Sequence, residues 1–161
     1  MAEEQQQQEE ARAELTRISS TLQQFEQYSQ QLANQLDTLG QYLAELQRSR
    51  QTLKNLESEA EGEETLIELG GGVSLRAKVL DSQNVFYTVG SGVTLNKPLE
   101  EAIEGLDERI DEQQKQKQSL TEQLVSVYQQ MQALEQRGQQ LLQQIQGPAK
   151  PSYDTNLPGM S

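Results

Sequence analysis

Phosphate chemistry calls for a glycine-rich loop that opens a helix, and two stretches of this 161-residue chain invite that test. They are Gly70-Gly71-Gly72 and Gly90-Ser91-Gly92-Val93-Thr94-Leu95. Both lead into strand-like alternation, and the second holds only the first two glycines of a dinucleotide fingerprint. No Gly-Lys-Ser/Thr triplet occurs, so nothing supports ATP hydrolysis. Glu57, Glu59, Glu61, Glu63 and Glu64 would attract cations. They lack the alternating oxygen ligands and turn glycine of a calcium loop, and read as a solvated charged segment. The chain has no His and no Cys. That removes Ser-His-Asp and Cys-His nucleophiles, zinc fingers and disulfides. The reading is a non-enzyme with no cofactor and no metal.

What remains is binding by shape and apolar contact. A net charge of −12 disfavours nucleic acid, since no basic stripe is available to release counterions from phosphates. No apolar run approaches the roughly 20 residues of a membrane span. Met1-Ala2-Glu3-Glu4-Gln5 is unlike a signal peptide. The expectation is a soluble, cytoplasmic protein with neither nucleic acid nor membrane as partner. Leu, Ile, Val and Phe supply 36 of the 161 residues. Order therefore requires these residues to be used economically, in narrow stripes.

The stripes are heptads. Leu15, Leu22, Ser29, Leu36, Leu43 and Arg50 form one row, and Ile18, Phe25, Leu32, Leu39, Leu46 and Leu53 the other; ten of these twelve sites are apolar. In the last third the rows are Ile103, Ile110, Lys117, Leu124, Met131, Gly138 and Ile145, and Leu99, Leu106, Gln113, Leu120, Val127, Leu134 and Leu141. Steps of three and four sustained over such lengths predict coiled-coil helices. The 28 glutamines mostly interleave with these leucines and read as solvated helix faces, Gln being a good helix former.

The middle third has another period. Val73, Leu75, Ala77 and Val79 alternate with polar residues, as do Val85, Tyr87 and Val89; shorter runs are Thr65 to Leu69 and Val93 to Leu95. Glycine-rich or polar breaks separate the four runs, which predicts two β-hairpins. The expected organisation is a disordered tail over 1–12, coiled-coil helix one over 13–62, a double hairpin over 63–97, coiled-coil helix two over 98–146 and a disordered tail over 147–161. The fold class is mainly α with a small β unit. A long antiparallel intramolecular coiled coil carries both hairpins at one end and both termini at the other.

Four short strands cannot bury a core alone, and open edges invite pairing. Val73, Leu75, Ala77, Val79, Val85, Tyr87, Val89, Val93 and Leu95 are therefore the expected oligomerisation residues. At the other end, fraying would uncover Leu15, Ile18, Leu22, Phe25, Val127, Met131, Leu134, Leu141, Leu142 and Ile145. Gly138 leaves a gap there, and Met131 adds a soft contact. These are the expected residues for gripping apolar segments of another protein.

The stretch Leu69-Gly70-Gly71-Gly72-Val73-Ser74-Leu75-Arg76-Ala77-Lys78-Val79, followed by Val85-Phe86-Tyr87-Thr88-Val89-Gly90-Ser91-Gly92-Val93, is similar to the glycine-containing double hairpin of the prefoldin (GimC) family. Two hairpins resemble its alpha subunit type; β subunits carry one. The chain departs from the pattern at Glu68 and at Asn96-Lys97-Pro98. The resemblance implies a heterohexamer of two α and four β subunits, with a β-barrel head and projecting coiled coils. It implies an ATP-independent molecular chaperone, a holdase, that captures unfolded client proteins with coiled-coil tips and delivers them to a group II chaperonin. The alternative is a structural adaptor, a prefoldin-like subunit of another assembly.

Overall fold

The computed structural model describes residues 2–56 and 62–146. Their order is α1 (Ala2–Leu56), β1 (Glu64–Gly70), β2 (Val73–Lys78), β3 (Asn84–Gly90), β4 (Val93–Pro98) and α2 (Leu99–Gln146). The chain divides into two compact units: Met1–Ala33 with Glu122–Ser161, and Asn34–Thr121. Among the described residues no helix is long and apolar enough to cross a membrane.

Both helices are rich in Leu, Gln and Glu, all strong helix formers, and neither contains proline. Glu3 and Glu4 on α1, and Glu100 and Glu101 on α2, place negative charge against the positive end of the helix dipole. Pro98 closes β4, and the first amide of α2, at Leu99, donates to the Gln83 carbonyl at 2.8 Å.

In the terminal unit the two helices run antiparallel. Ala11, Ile18 and Leu141 form the buried core, with Leu15, Leu22, Leu134 and Ile145 packed around it. Arg137 donates two hydrogen bonds to the Glu14 carboxylate, at 2.8 and 3.1 Å, across the seam. The expected disordered tail over 1–12 is corrected here: α1 begins at Ala2, and Ala11 is buried. The glutamines and glutamates of that stretch favour helix intrinsically, and Ala11 extends the Leu15 row by one step of four. The expected tail over 147–161, and residues 57–61 of expected helix one, lie outside the described residues.

In the hairpin unit the core is Leu39, Leu43 and Leu46 of α1 against Leu106 and Ile110 of α2, with Leu53, Tyr87 and Leu120 packed on it. Arg50, polar on its row, pairs with Asp107 on the facing helix. Ser29, in the terminal unit, is buried but satisfied, its hydroxyl donating to the Glu26 carbonyl at 2.9 Å. Every expected seam position is buried or half-buried except Lys117, which is exposed. A long charged side chain gains more from water than from a seam.

The sheets are two separate antiparallel pairs, β1-β2 and β3-β4. Both hairpins use one turn plan. Gly71-Gly72 and Ser91-Gly92 are the two central residues, all with positive φ, preceded by a bulge at Gly70 and Gly90. Positive φ at both central positions matches the right-handed twist of paired strands. The registers also correspond, with Ile67 opposite Leu75 and Tyr87 opposite Leu95.

Candidate functional site: two protein-binding surfaces

The first surface is the outside of the hairpins. Leu66, Ile67, Leu69, Val73 and Leu75 on hairpin one are all exposed, as are Phe86, Val89, Val93 and Leu95 on hairpin two. Within the strands of hairpin one only Thr65 and Ala77 are half-buried. Alternation puts Ile67, Val73 and Leu75 on one face, with Glu64, Glu68, Arg76 and Lys78 on the other. Exposed apolar residues grouped in this way are characteristic of interaction surfaces. Leu80, in the link between hairpins, is 89% exposed.

Of the expected oligomerisation residues, Val73, Leu75, Val89, Val93 and Leu95 are exposed and Ala77, Val79, Val85 and Tyr87 are half-buried. Val79 lies past β2 and closes the base of hairpin one. Its carbonyl accepts from the Gly62 amide at 2.8 Å, and its amide donates to Glu63. Tyr87 is committed to its own chain. Its ring packs on the Leu46–Leu106 core, with the Arg109 guanidinium 4.6 Å and the Lys97 ammonium 5.5 Å from its centre. Arg109 also donates to the Thr88 carbonyl. Gly105 makes room: a Cβ there would sit 2.8 Å from the Tyr87 hydroxyl. The strand alternation did place Tyr87 on the apolar face. It gave no sign that this face meets a helix.

Sequence reasoning missed Ile67, Leu66, Leu69 and Phe86. Ile67 was legible, since it alternates with Thr65 in the same period as the strand that follows. Leu66 and Phe86 stand on the otherwise polar faces, where period-two reading discards an apolar residue.

The second surface lies in the terminal unit. Ile18, Val127 and Leu141 are buried in the seam; Leu15, Leu22, Phe25, Met131, Leu134 and Ile145 are half-buried; Leu142 is exposed. A groove of about 470 Å³ runs along one side of this seam, lined by Leu15, Leu22, Met131, Leu134 and Leu142 with Gly138 in its wall. A Cβ on Gly138 would meet Ile18 and Leu15 at 3.8 Å, ordinary contact. Gly138 is itself buried, beside buried Ile18 and half-buried Leu15. So the structure gathers most of the expected gripping residues along one groove, with Ile18 at its floor. Phe25, Val127, Leu141 and Ile145 lie outside its lining.

Four ionisable groups are shifted by partners within their own unit. The Arg137 guanidinium holds the Glu14 carboxyl below its ordinary range, and Glu14 raises Arg137 in turn. Hydrogen bonding to Asp107 raises Arg50. Asp81, in the link, accepts from the Gln83 and Asn84 amides at 2.8 and 3.0 Å, and the first of these bonds does most to lower its pKa.

The family model described as "Prefoldin subunit" matches residues 25–144. "Prefoldin subunit alpha" of Methanocorpusculum labreanum is 38% identical over 124 residues, 77% of this chain and 82% of the relative. "Prefoldin subunit alpha" of Methanospirillum hungatei is 31% identical over 133 residues, 83% of this chain and 89% of the relative. Among solved structures, the cryo-EM structure of filamentous PFD from Methanocaldococcus jannaschii aligns with a TM-score of 0.62 at 22% identity. That alignment covers 71% of this chain and 95% of that one, and speaks for the fold alone.

Proposed function

The chain belongs to the prefoldin family, and we propose that it works as the α-type subunit of an ATP-independent holdase in the cytoplasm. The hairpins associate with β-type subunits into a barrel, in a hexamer of two α and four β chains. The terminal unit captures unfolded polypeptides, which pass to a group II chaperonin. No covalent step is involved. The single observation that carries this reading is the location of uncovered apolar side chains. They concentrate on the hairpins and along one side of the terminal seam, where exposed Leu142 joins half-buried Leu15, Leu22, Met131 and Leu134.

Each contact on such a groove is weak. Several grooves held in one assembly gain by effective concentration, so a client is retained without any strong single site. The charge distribution supports the same division of labour. Residues 1–62 carry 5 basic and 11 acidic side chains, residues 98–161 carry 5 and 10, and residues 63–97 carry 3 and 4. A nearly neutral hairpin region associates with little repulsion, while the acidic helical arms of different subunits repel one another in solution.

The test separates assembly from capture. Deleting residues 1–25 and 128–161 is expected to leave the complex with a β-type partner intact by mass measurement. The same deletion is expected to abolish protection of an unfolded client from aggregation. Full protection by the truncated complex would overturn capture by the terminal unit. Assembly of the full chain without any suppression of aggregation would favour an adaptor instead.

A further inference from the structure

The terminal groove has a chemical character beyond being apolar. Its floor and walls are Leu15, Ile18, Leu22, Met131, Leu134 and Leu142. Its charged lining residues are Glu26 on α1 and Glu135 on α2, both exposed, and among the described residues no lysine or arginine lines it. The remainder of the rim is serine, glutamine and Gly138.

A second, wider groove of about 800 Å³ in the same unit has the same bias. It is lined by buried Ala11 and Leu141 and half-buried Ile145, between Glu4, Glu10 and Glu14. Among the described residues its one cation is Arg137, which donates two hydrogen bonds to Glu14. Over residues 2–33 and 122–146 the sequence carries eight acidic and three basic side chains, and Arg12 and Arg17 line neither groove.

We infer that the terminal groove selects unfolded segments in which a short apolar run is flanked by lysine or arginine, and discriminates against the same run flanked by aspartate or glutamate. This rests on the capture reading above and names the substrate class of that site. Apolar side chains of the segment cover the leucines and Met131. Methionine adapts to varied shapes without demanding one sequence. The cationic flanks meet Glu26 and Glu135 at the rim. Rim charges of this kind act mainly on encounter rate and on the choice of partner, while the apolar floor supplies the holding energy. A flanking carboxylate would face like charge with no basic residue in the lining to relieve it. The long aliphatic stems of Lys and Arg also lie well along apolar surface, which Asp and Glu do less.

The experiment uses the full chain in its purified complex and three labelled peptides. These share one apolar run and carry Lys, Ser or Glu flanks; binding is read by fluorescence anisotropy. The Lys-flanked peptide is expected to bind roughly 3–10-fold more tightly than the Glu-flanked one at about 0.1 M salt, as two exposed charge contacts provide. At about 1 M salt, where the Debye length falls from about 10 Å to about 3 Å, that ratio is expected to approach one. Replacing both rim carboxylates, Glu26→Gln with Glu135→Gln, touches only exposed side chains and is expected to erase the preference at low salt. Equal binding of Lys and Glu peptides by the unaltered complex, or a preference that survives the double substitution, overturns the selectivity and leaves capture standing. Failure of all three peptides to bind overturns the capture reading itself.

Discussion

At matching register positions the two hairpins carry Ile67 and Tyr87, each opposite a leucine, and the two residues have different surroundings. Tyr87 sits on the helix core of its own chain, against Gly105 and between Arg109 and Lys97. Ile67 remains 48% exposed. The turns are alike, the strand lengths are alike, and Leu66 and Phe86 repeat the same apolar intrusion on the polar face. What sets their surroundings apart is one aromatic and the glycine that receives it. A two-stranded hairpin is marginal in water unless it packs on something. Hairpin two has that support from the helices of its own chain; hairpin one has no such aromatic seat among the described residues, in line with the assembly proposed above.

The largest expected effect follows directly. Tyr87→Ala should destabilise the isolated chain by about 2–3 kcal/mol, below the usual cost of deleting a fully buried aromatic because Tyr87 is only half-buried. Ile67→Ala should cost under about 0.5 kcal/mol in the same urea titration, as for other exposed positions. In the complex with a β-type partner the Ile67 substitution should instead weaken assembly measurably. If the two substitutions cost the same in the isolated chain, the hairpins are not differently supported.

The receiving glycine sharpens the comparison. Gly105→Ala gains up to about 1 kcal/mol of helix propensity. It also drives a methyl group to 2.8 Å from the Tyr87 hydroxyl. Since Arg109 and Lys97 hold the ring, the net expectation is a loss of about 1 kcal/mol, typical of overpacking. Adding Tyr87→Phe removes the clashing oxygen and should recover most of that loss, a coupling of about 1 kcal/mol in a double-mutant cycle. Additive substitutions would mean that the ring is not held. Gly40 has nothing within 4 Å of its missing Cβ and serves as the control, where Ala should stabilise.

Sequence carried the helices and the seam well, because a heptad row declares its own buried face. All twelve sites of the first seam are buried or half-buried, including Ser29 and Arg50. The double hairpin was legible from alternation and glycine placement. The candidate surfaces were legible only in part. Leu141, on the seam row, is buried and Leu142, about 100° round the helix and off the row, is exposed, as the heptad phase places them. The seat of Tyr87 depends on Gly105, eighteen residues away, and a lone glycine inside a helix reads as a mere weakness until its neighbour is seen. Ala11 was lost to its surroundings, a single small apolar residue after a run of Gln and Glu.

The turns offer a smaller contrast. Hairpin one places glycine at both central positions, whereas hairpin two places Ser91 there with φ of 49°. Left-handed backbone costs a side-chain-bearing residue about 1 kcal/mol, and asparagine tolerates it better than serine. Ser91→Asn should therefore raise stability by about 0.5 kcal/mol, and Gly71→Ser should lower that of hairpin one by a similar amount. Thermal melting checks the first, and hydrogen exchange within β1 and β2 checks the second. A loss from Ser91→Asn would mean that the serine hydroxyl has a role the backbone does not reveal.

The smallest expected effect concerns acid. Asp81 holds the entrance of hairpin two by accepting from the Gln83 and Asn84 amides and from the Asn84 side chain at 3.1 Å. These bonds favour its ionised form, so its pKa is lower in the folded chain. A carboxyl whose folded pKa is depressed stabilises fully above its unfolded value, near 3.9 for Asp. That contribution is lost as pH falls through the lower folded value. The Gln83 and Asn84 amides should thus lose hydrogen-exchange protection below about pH 4, before the seam amides around Leu43 do. Asp81→Asn keeps an acceptor oxygen but cannot titrate, so it should start with weaker protection at neutral pH and show a flatter acid limb. Glu14 gives the same sign through Arg137, in the terminal unit rather than the hairpins, and Glu14→Gln should leave the Gln83 and Asn84 profiles unchanged. If it shifts them, acid is acting on the chain as a whole, and the entrance of hairpin two has no acid response of its own.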